Sequence, residues 1–160
     1  PVAYTAIVNN AAAPGLPAGP VTLAMPLPPG TTVADAGGGS QVGSTLTLPL
    51  GVLVPGQSVS RTVTLRHGTV GVTVVTATVT SPQLDVTPAD NQGSAVVTVQ
   101  ALYDLGGTVV DTNGTPLPDV VVSLSGDRTA TTTSDASGRW QFGLLPTGTY
   151  TLTASRTGLV

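Results

Sequence analysis

Hydrophobic and polar residues alternate in short runs along most of this chain, and Gly, Pro, Asn or Asp separate one run from the next. Val2 to Val8 ends at Asn9-Asn10, and Pro20 to Met25 ends in a proline cluster. Thr45-Leu46-Thr47-Leu48 alternates before the Pro55-Gly56 turn. Ser58 to Arg66 alternates cleanly and sets Val59, Val63 and Leu65 on one face, and Val72 to Thr80 and Ser94 to Gln100 complete a first set. A period of two with turn residues between runs predicts strands that are dry on one side and wet on the other, stacked as a sandwich. A second set follows: a Thr-Val-Val run at 108–110, a turn at Asp111-Thr112-Asn113-Gly114, a restart at Pro116-Leu117-Pro118, and strands through Val120 to Leu124, Thr131 to Thr133, Arg139 to Leu145 and Tyr150 to Ala154. The fold class predicted is all-β, two tandem sandwiches over residues 1–101 and 102–160.

Composition agrees with this reading and narrows it. Of 160 residues 40% are hydrophobic and only 8% charged, which opposes disorder despite 20 Gly and 14 Pro. Thr and Val are abundant, and β-branched residues suit a pleated, half-buried surface. The five bases are all Arg and the eight acids all Asp, so the helix formers Lys and Glu are missing altogether. A net charge of −3 with scattered Arg gives no footprint for nucleic acid. No apolar run reaches membrane-spanning length. The chain starts at Pro1 without a signal segment, which predicts a mature or excised piece.

Five ordered blocks in the first set resemble a known bacterial module: Tyr-Thr-x-x-Val-Asn-Asn from Tyr4, Leu-Pro-Pro-Gly-Thr-Thr-Val at 27–33, Leu-Val-Pro-Gly-Gln-Ser at 53–58, Val-Thr-Ala-Thr-Val-Thr-Ser at 75–81 and Thr-Pro-Ala-Asp-Asn-Gln at 87–92. The module is the immunoglobulin-like surface-protein repeat known as domain of unknown function eleven. The second set, with Leu105-Gly106-Gly107-Thr108-Val109-Val110, the 111–119 turn, Ser137-Gly138-Arg139-Trp140 and Pro146-Thr147-Gly148-Thr149-Tyr150, resembles the carboxypeptidase regulatory-like, or transthyretin-like, sandwich found also in B-type adhesin repeats. Both resemblances imply an immunoglobulin-like fold and an extracellular place on a bacterial cell surface. Both families carry a further strand, before the Tyr-Thr block in the first and after Gly158 in the second. The second sandwich is therefore expected to lack its last strand. Either neighbouring repeats of a longer chain supply the strands, or a second copy does so and the molecules self-associate into a fibre. The short junction between Val99 and Tyr103 predicts a stiff tandem.

Reactive chemistry is sparse. His67, the single histidine, is expected in an exposed turn, a poor setting for a base that a buried carboxylate must orient. No catalytic residue and no cofactor are predicted, and the chain is read as no enzyme. The loop nearest to a cation site holds Asp85, Asp90 and Asn91, but calcium takes about six to eight oxygens around one point. Asp and Asn beside Gly are read instead as turn residues bonding their own backbone, so no metal is predicted. Absence of Lys excludes a Lys-based isopeptide within the chain. Absence of Cys excludes a disulfide. Asn113-Gly114-Thr115 matches a glycosylation sequon, but Pro116 and the hairpin favour a turn. Trp140 and Phe142 are expected to fill the second core, and Tyr150 to bond backbone at a corner. The function predicted is structural: a stalk or repeat segment, or a filament subunit joined by strand or edge complementation. The alternative is an adhesin that binds a host protein or glycan through loops 9–20 and 34–44.

Overall fold

The structure, a computed structural model, describes residues 1–11, 17–85 and 87–157. They form an all-β chain that divides into two compact units, Pro1–Val99 and Gln100–Val160. A 3-10 turn at Pro88–Asp90 is the one helical element among the described residues.

Eight strands build the first unit: β1 (Val2–Asn9), β2 (Ala18–Pro26), β3 (Thr31–Asp35), β4 (Ser40–Val42), β5 (Thr45–Leu53), β6 (Ser58–His67), β7 (Gly71–Thr80) and β8 (Gln92–Val99). Three of them make one sheet in the order β1-β6-β3, and five make the other in the order β4-β5-β2-β7-β8. Every ladder is antiparallel. The alternation read from the sequence decides which residues meet between the sheets. Val21, Leu23 and Met25 of β2 and Leu46, Leu48 and Leu50 of β5 point inward against Val63 and Leu65 of β6, and all are buried. Full burial of one such side chain is worth about 1.5–3 kcal/mol, so this layer holds the sandwich closed.

Residues 34–44 depart from the expected loop. β3 runs to Asp35 and β4 occupies Ser40–Val42, with tight turns on either side. Asp35 accepts a hydrogen bond from the Gly37 N–H at 3.0 Å, and the Gly39 N–H donates to the Ala36 carbonyl at 3.0 Å. Such local Asx chemistry compresses a polar, Gly-rich stretch that reads as a long loop in sequence. Of the expected 9–20 loop, residues 12–16 lie outside the described residues and Ala18–Pro20 belong to β2.

The second unit contains β9 (Leu102–Thr108), β10 (Val121–Gly126), β11 (Ala130–Thr133), β12 (Arg139–Pro146) and β13 (Tyr150–Ser155). Its sheets are β11-β10-β13 and β12-β9. Val122, Leu124, Phe142 and Leu145 form the core, with Trp140, Leu105 and Tyr150 packed against them. The Tyr150 hydroxyl donates to the Pro146 carbonyl at 2.9 Å, the corner bond that its position predicts. Two turns share one chemistry. Asp111 accepts from the N–H groups of Asn113 and Thr115, both at 2.8 Å. Asp135 accepts from Ser137 at 2.7 Å and Arg139 at 3.0 Å. Each turn closes through a Gly with positive φ, Gly114 at 83° and Gly138 at 71°, a conformation that costs Gly nothing sterically.

Candidate functional site

The feature of the first unit with most capacity to act is its open side. The three-stranded sheet ends at β1 while the facing sheet continues through β7 to β8. Cross-strand partners share a face, so Ala95, paired with the buried Val75, points inward, as does Gly93, paired with Ala77. Both are nevertheless exposed, because among the described residues no strand of the facing sheet covers them. Between β1 and the β7–β8 pair lies a groove of about 1250 Å³.

The edge of β1 that borders this groove is unpaired among the described residues, since β1 pairs with β6 alone. Which groups it presents follows from the alternation of an antiparallel ladder. The Asn10 N–H donates to the Gln57 carbonyl at 2.9 Å, so position 10 faces β6, and Val8, Ala6 and Tyr4 do the same. Ala3, Thr5 and Ile7 therefore direct their N–H and C=O groups to the open edge. The Thr5 and Thr62 hydroxyls lie 2.9 Å apart, as the closer side chains of a pair without mutual backbone bonds require.

Edge strands are normally blunted by charge, proline, a bulge or shortness. On the far side of the unit that rule holds. β3 carries Asp35 and a register shift between Val33 and Asp35, and β4 has only 3 residues. On the groove side it does not. β1 (VAYTAIVN) and β8 (QGSAVVTV) each run for 8 residues with no charge and no proline.

Asp85, Asp90 and Asn91 lie at one end of the groove. The end is that of Asn10: its amide donates to the Leu53 carbonyl, Leu53 pairs with Ala18, and the next residue, Gly19, donates its N–H to Gln83 Oε1. The structure brings the three residues together, although as partners of one another. Asp85 accepts from the Thr87 N–H at 2.8 Å and from the Asn91 side-chain amide at 2.7 Å, and the Thr87 hydroxyl donates to Asp90 at 3.2 Å. The Thr87 N–H, then the Asn91 amide, hold the Asp85 carboxyl below its ordinary range. Asn91 thus turns its donor, not its oxygen, to the carboxylate. Among the described residues no group of three His, Cys, Asp or Glu is placed to hold a metal ion.

His67 is not in an exposed turn. It is the last residue of β6 and half-buried, with Nε2 at 2.7 Å from the Tyr4 hydroxyl and Nδ1 at 3.0 Å from the Thr31 hydroxyl. The Tyr4 and His67 rings meet edge to face, 5.8 Å between centroids. The sequence signal was available: His67 shares parity with Val63 and Leu65, and so belongs to the inward face. Both ring nitrogens meet hydroxyls, so His67 lacks the orienting carboxylate of a catalytic base. What it does is tie the ends of β1 and β3 to β6. Burial raises the Tyr4 hydroxyl above its ordinary value.

In the second unit an open concavity of about 600 Å³ is bordered by Trp140, Gly107, Asp135 and Arg139. Its one carboxylate, that of Asp135, serves its turn, and the Trp140 indole lies on Gly107 where a side chain would otherwise stand. Asp127 accepts from the Thr149 N–H at 3.0 Å and Asp104 from the Leu144 N–H at 3.3 Å. These acids, like Asp111, act as turn and bulge fasteners. No helix of the described residues is long and apolar enough to cross a membrane.

No curated protein sequence matches this chain. Among solved structures it is similar to the major pilin subunit of Bacillus cereus, with 12% identity and a TM-score of 0.40 over 84% of this chain and 47% of the pilin. A second crystal structure of that pilin, a point variant, gives 11% identity and 0.39 over 95% and 59%. The pilus 2b backbone protein of group B streptococcus gives 14% identity and 0.34 over 97% and 78%. The chain spans about half the length of the first of these pilins, at 47%. Residues 104–160 match the family model of the carboxypeptidase regulatory-like domain.

Proposed function

We propose that this chain is a structural protein of a bacterial cell surface, a stalk segment or filament subunit, extracellular, and joined to its neighbours by strand or edge complementation. Its first sandwich, residues 1–101, is read as the immunoglobulin-like surface repeat. The observation that carries this reading is the pairing of two unguarded strand edges, β1 and β8, across one groove, while the far edges are guarded. A row of free backbone groups beside a cleft floored by small apolar residues is a template for an added strand. Sparse charge and Thr-rich faces suit a load-bearing module whose strength lies in backbone ladders. The adhesin reading loses support at 34–44, where tight turns and a strand replace a long loop.

Electron microscopy of the purified chain tests the proposal. Ordered fibres with a repeat of one chain support it. A monodisperse monomer at high concentration, folded and with both edges free, overturns it.

A further inference from the structure

We infer that the groove of the first unit accepts one extended strand, antiparallel to β1, with bulky apolar side chains at alternate positions and a cationic group at its N-terminal end. The inference rests on the complementation reading and adds to it the chemistry of the incoming segment.

Three features define that segment. The open edge offers the N–H and C=O groups of Ala3, Thr5 and Ile7, so a strand of about seven residues, near 3.3 Å each, spans the bonding positions. Antiparallel pairing extends the pattern of every ladder in the unit and is the more stable per residue. The floor beneath the added strand consists of Ala77, Ala95 and Gly93. An ideal Cβ at Gly93 meets nothing within 4 Å. Small residues on the floor leave depth that large inward side chains fill, and β-branched or leucine side chains at every second position match the pleat. The end of the groove next to Asn10 carries Asp85 and Asp90, and no Arg or His is among the groove's lining residues. An antiparallel strand begins at that end, which places the cation at its N-terminus.

The occupant's chemistry excludes a copy of β1 itself. Its inward face, Tyr4, Ala6 and Val8, is already packed on the core, and VAYTAIVN has no cation.

The probe is a synthetic acetylated and amidated peptide, Arg-Thr-Leu-Thr-Val-Thr-Val-Thr, titrated into the full chain by calorimetry. Two further peptides carry N-methyl groups on one or the other alternate set of amides. The set that faces β1 abolishes binding when methylated, and the opposite set leaves it within about threefold. Replacing the leading Arg by Glu weakens binding by about threefold at low salt, and the difference vanishes at high salt. Thr5→Pro removes an N–H that no partner among the described residues uses, a tolerated edge position, and lowers affinity by about tenfold or more. Gly93→Leu fills the floor and does the same. Far-ultraviolet circular dichroism of both variants verifies that the fold survives. Binding that ignores which amides are methylated, or that persists in Thr5→Pro and Gly93→Leu, overturns the assignment. Fibres that form while the peptide does not bind overturn the groove but spare the structural reading. Peptide binding by a chain that never forms fibres supports the groove and counts against the filament.

Discussion

Replacing Ser134 by Ala should unfasten the second unit. Ser134 is 3% exposed and is the buried polar residue of the core. Its hydroxyl donates to the Leu117 carbonyl at 2.7 Å and accepts from the Val120 N–H at 3.0 Å. Those two bonds hold the 117–120 segment against the end of β11, next to the buried Val120. Alanine removes one oxygen and leaves an N–H and a C=O without partners. A buried donor stranded in this way costs about 1–3 kcal/mol. The half-buried Leu117 carbonyl recovers part of its loss from water, so the total is about 2–3 kcal/mol. In a unit of this size each kcal/mol moves the midpoint by about 4–8 °C, which predicts a fall of about 10–20 °C. Trp140 is the single tryptophan and packs on Phe142 with centroids 5.8 Å apart, so its emission reports this unit alone. Ser137→Ala, whose side chain is exposed and engaged by no bond, serves as the control and should stay within about 0.5 kcal/mol. A Ser134→Ala loss no larger than that control would refute the reasoning.

The two Asp-Gly turns should respond unequally to alanine. Gly114 has open space around it, so Gly114→Ala costs about 1 kcal/mol of backbone strain, whereas a Cβ at Gly138 runs into the Val109 carbonyl and costs about 2 kcal/mol or more; equal losses in urea unfolding would contradict this. Leu144 sits at φ 58° in the bulge of β12 and is 66% exposed, so Leu144→Gly should stabilise by about 0.5–1 kcal/mol, and a destabilised variant would show that the side chain is held by contacts. The Thr115 N–H, then that of Asn113, hold the Asp111 carboxyl below its ordinary range. Its folded-state pKa lies under the unfolded value, so the stabilisation is complete above about pH 4 and is lost as pH falls through the folded value. Asp111→Asn should therefore flatten the acid limb of the urea midpoint followed by Trp140 emission, and curves that stay parallel from pH 6 to 2 would exclude the effect.

Local chemistry was legible in the sequence and long-range pairing was not. The runs around Val2, Leu46 and Val63 alternate because each strand is dry on one face, and the Asp111 turn declares itself through Asp, Asn and Gly within four positions. The orders β1-β6-β3 and β5-β2-β7 join strands far apart in the chain, and no residue names its partner. The family resemblance points to a further strand before Tyr4, but the place of the groove, opposite β7 and β8, was hidden for that reason, since it exists only where one sheet outruns the other. His67 was misplaced because its neighbours Arg66 and Gly68 read as a turn, while its own parity with Leu65 put it inside. Ser134 stood in a run of Thr, Ser and Asp that reads as solvated, and only its approach to Leu117 and Val120 gives it weight. The bulge after Phe142 left no mark in the sequence, because leucine is a poor predictor of positive φ.

The unequal treatment of the two sides of the first sandwich gives sheet growth a direction. With β3 interrupted by its bulge and β4 cut to 3 residues, sheet growth cannot proceed in that direction. Under the proposed complementation, strands add only on the groove side, where β1 and β8 are the open edges. Neighbours joined in that way would all arrive from one side of the sandwich, unlike the two-sided growth of runaway cross-β stacking.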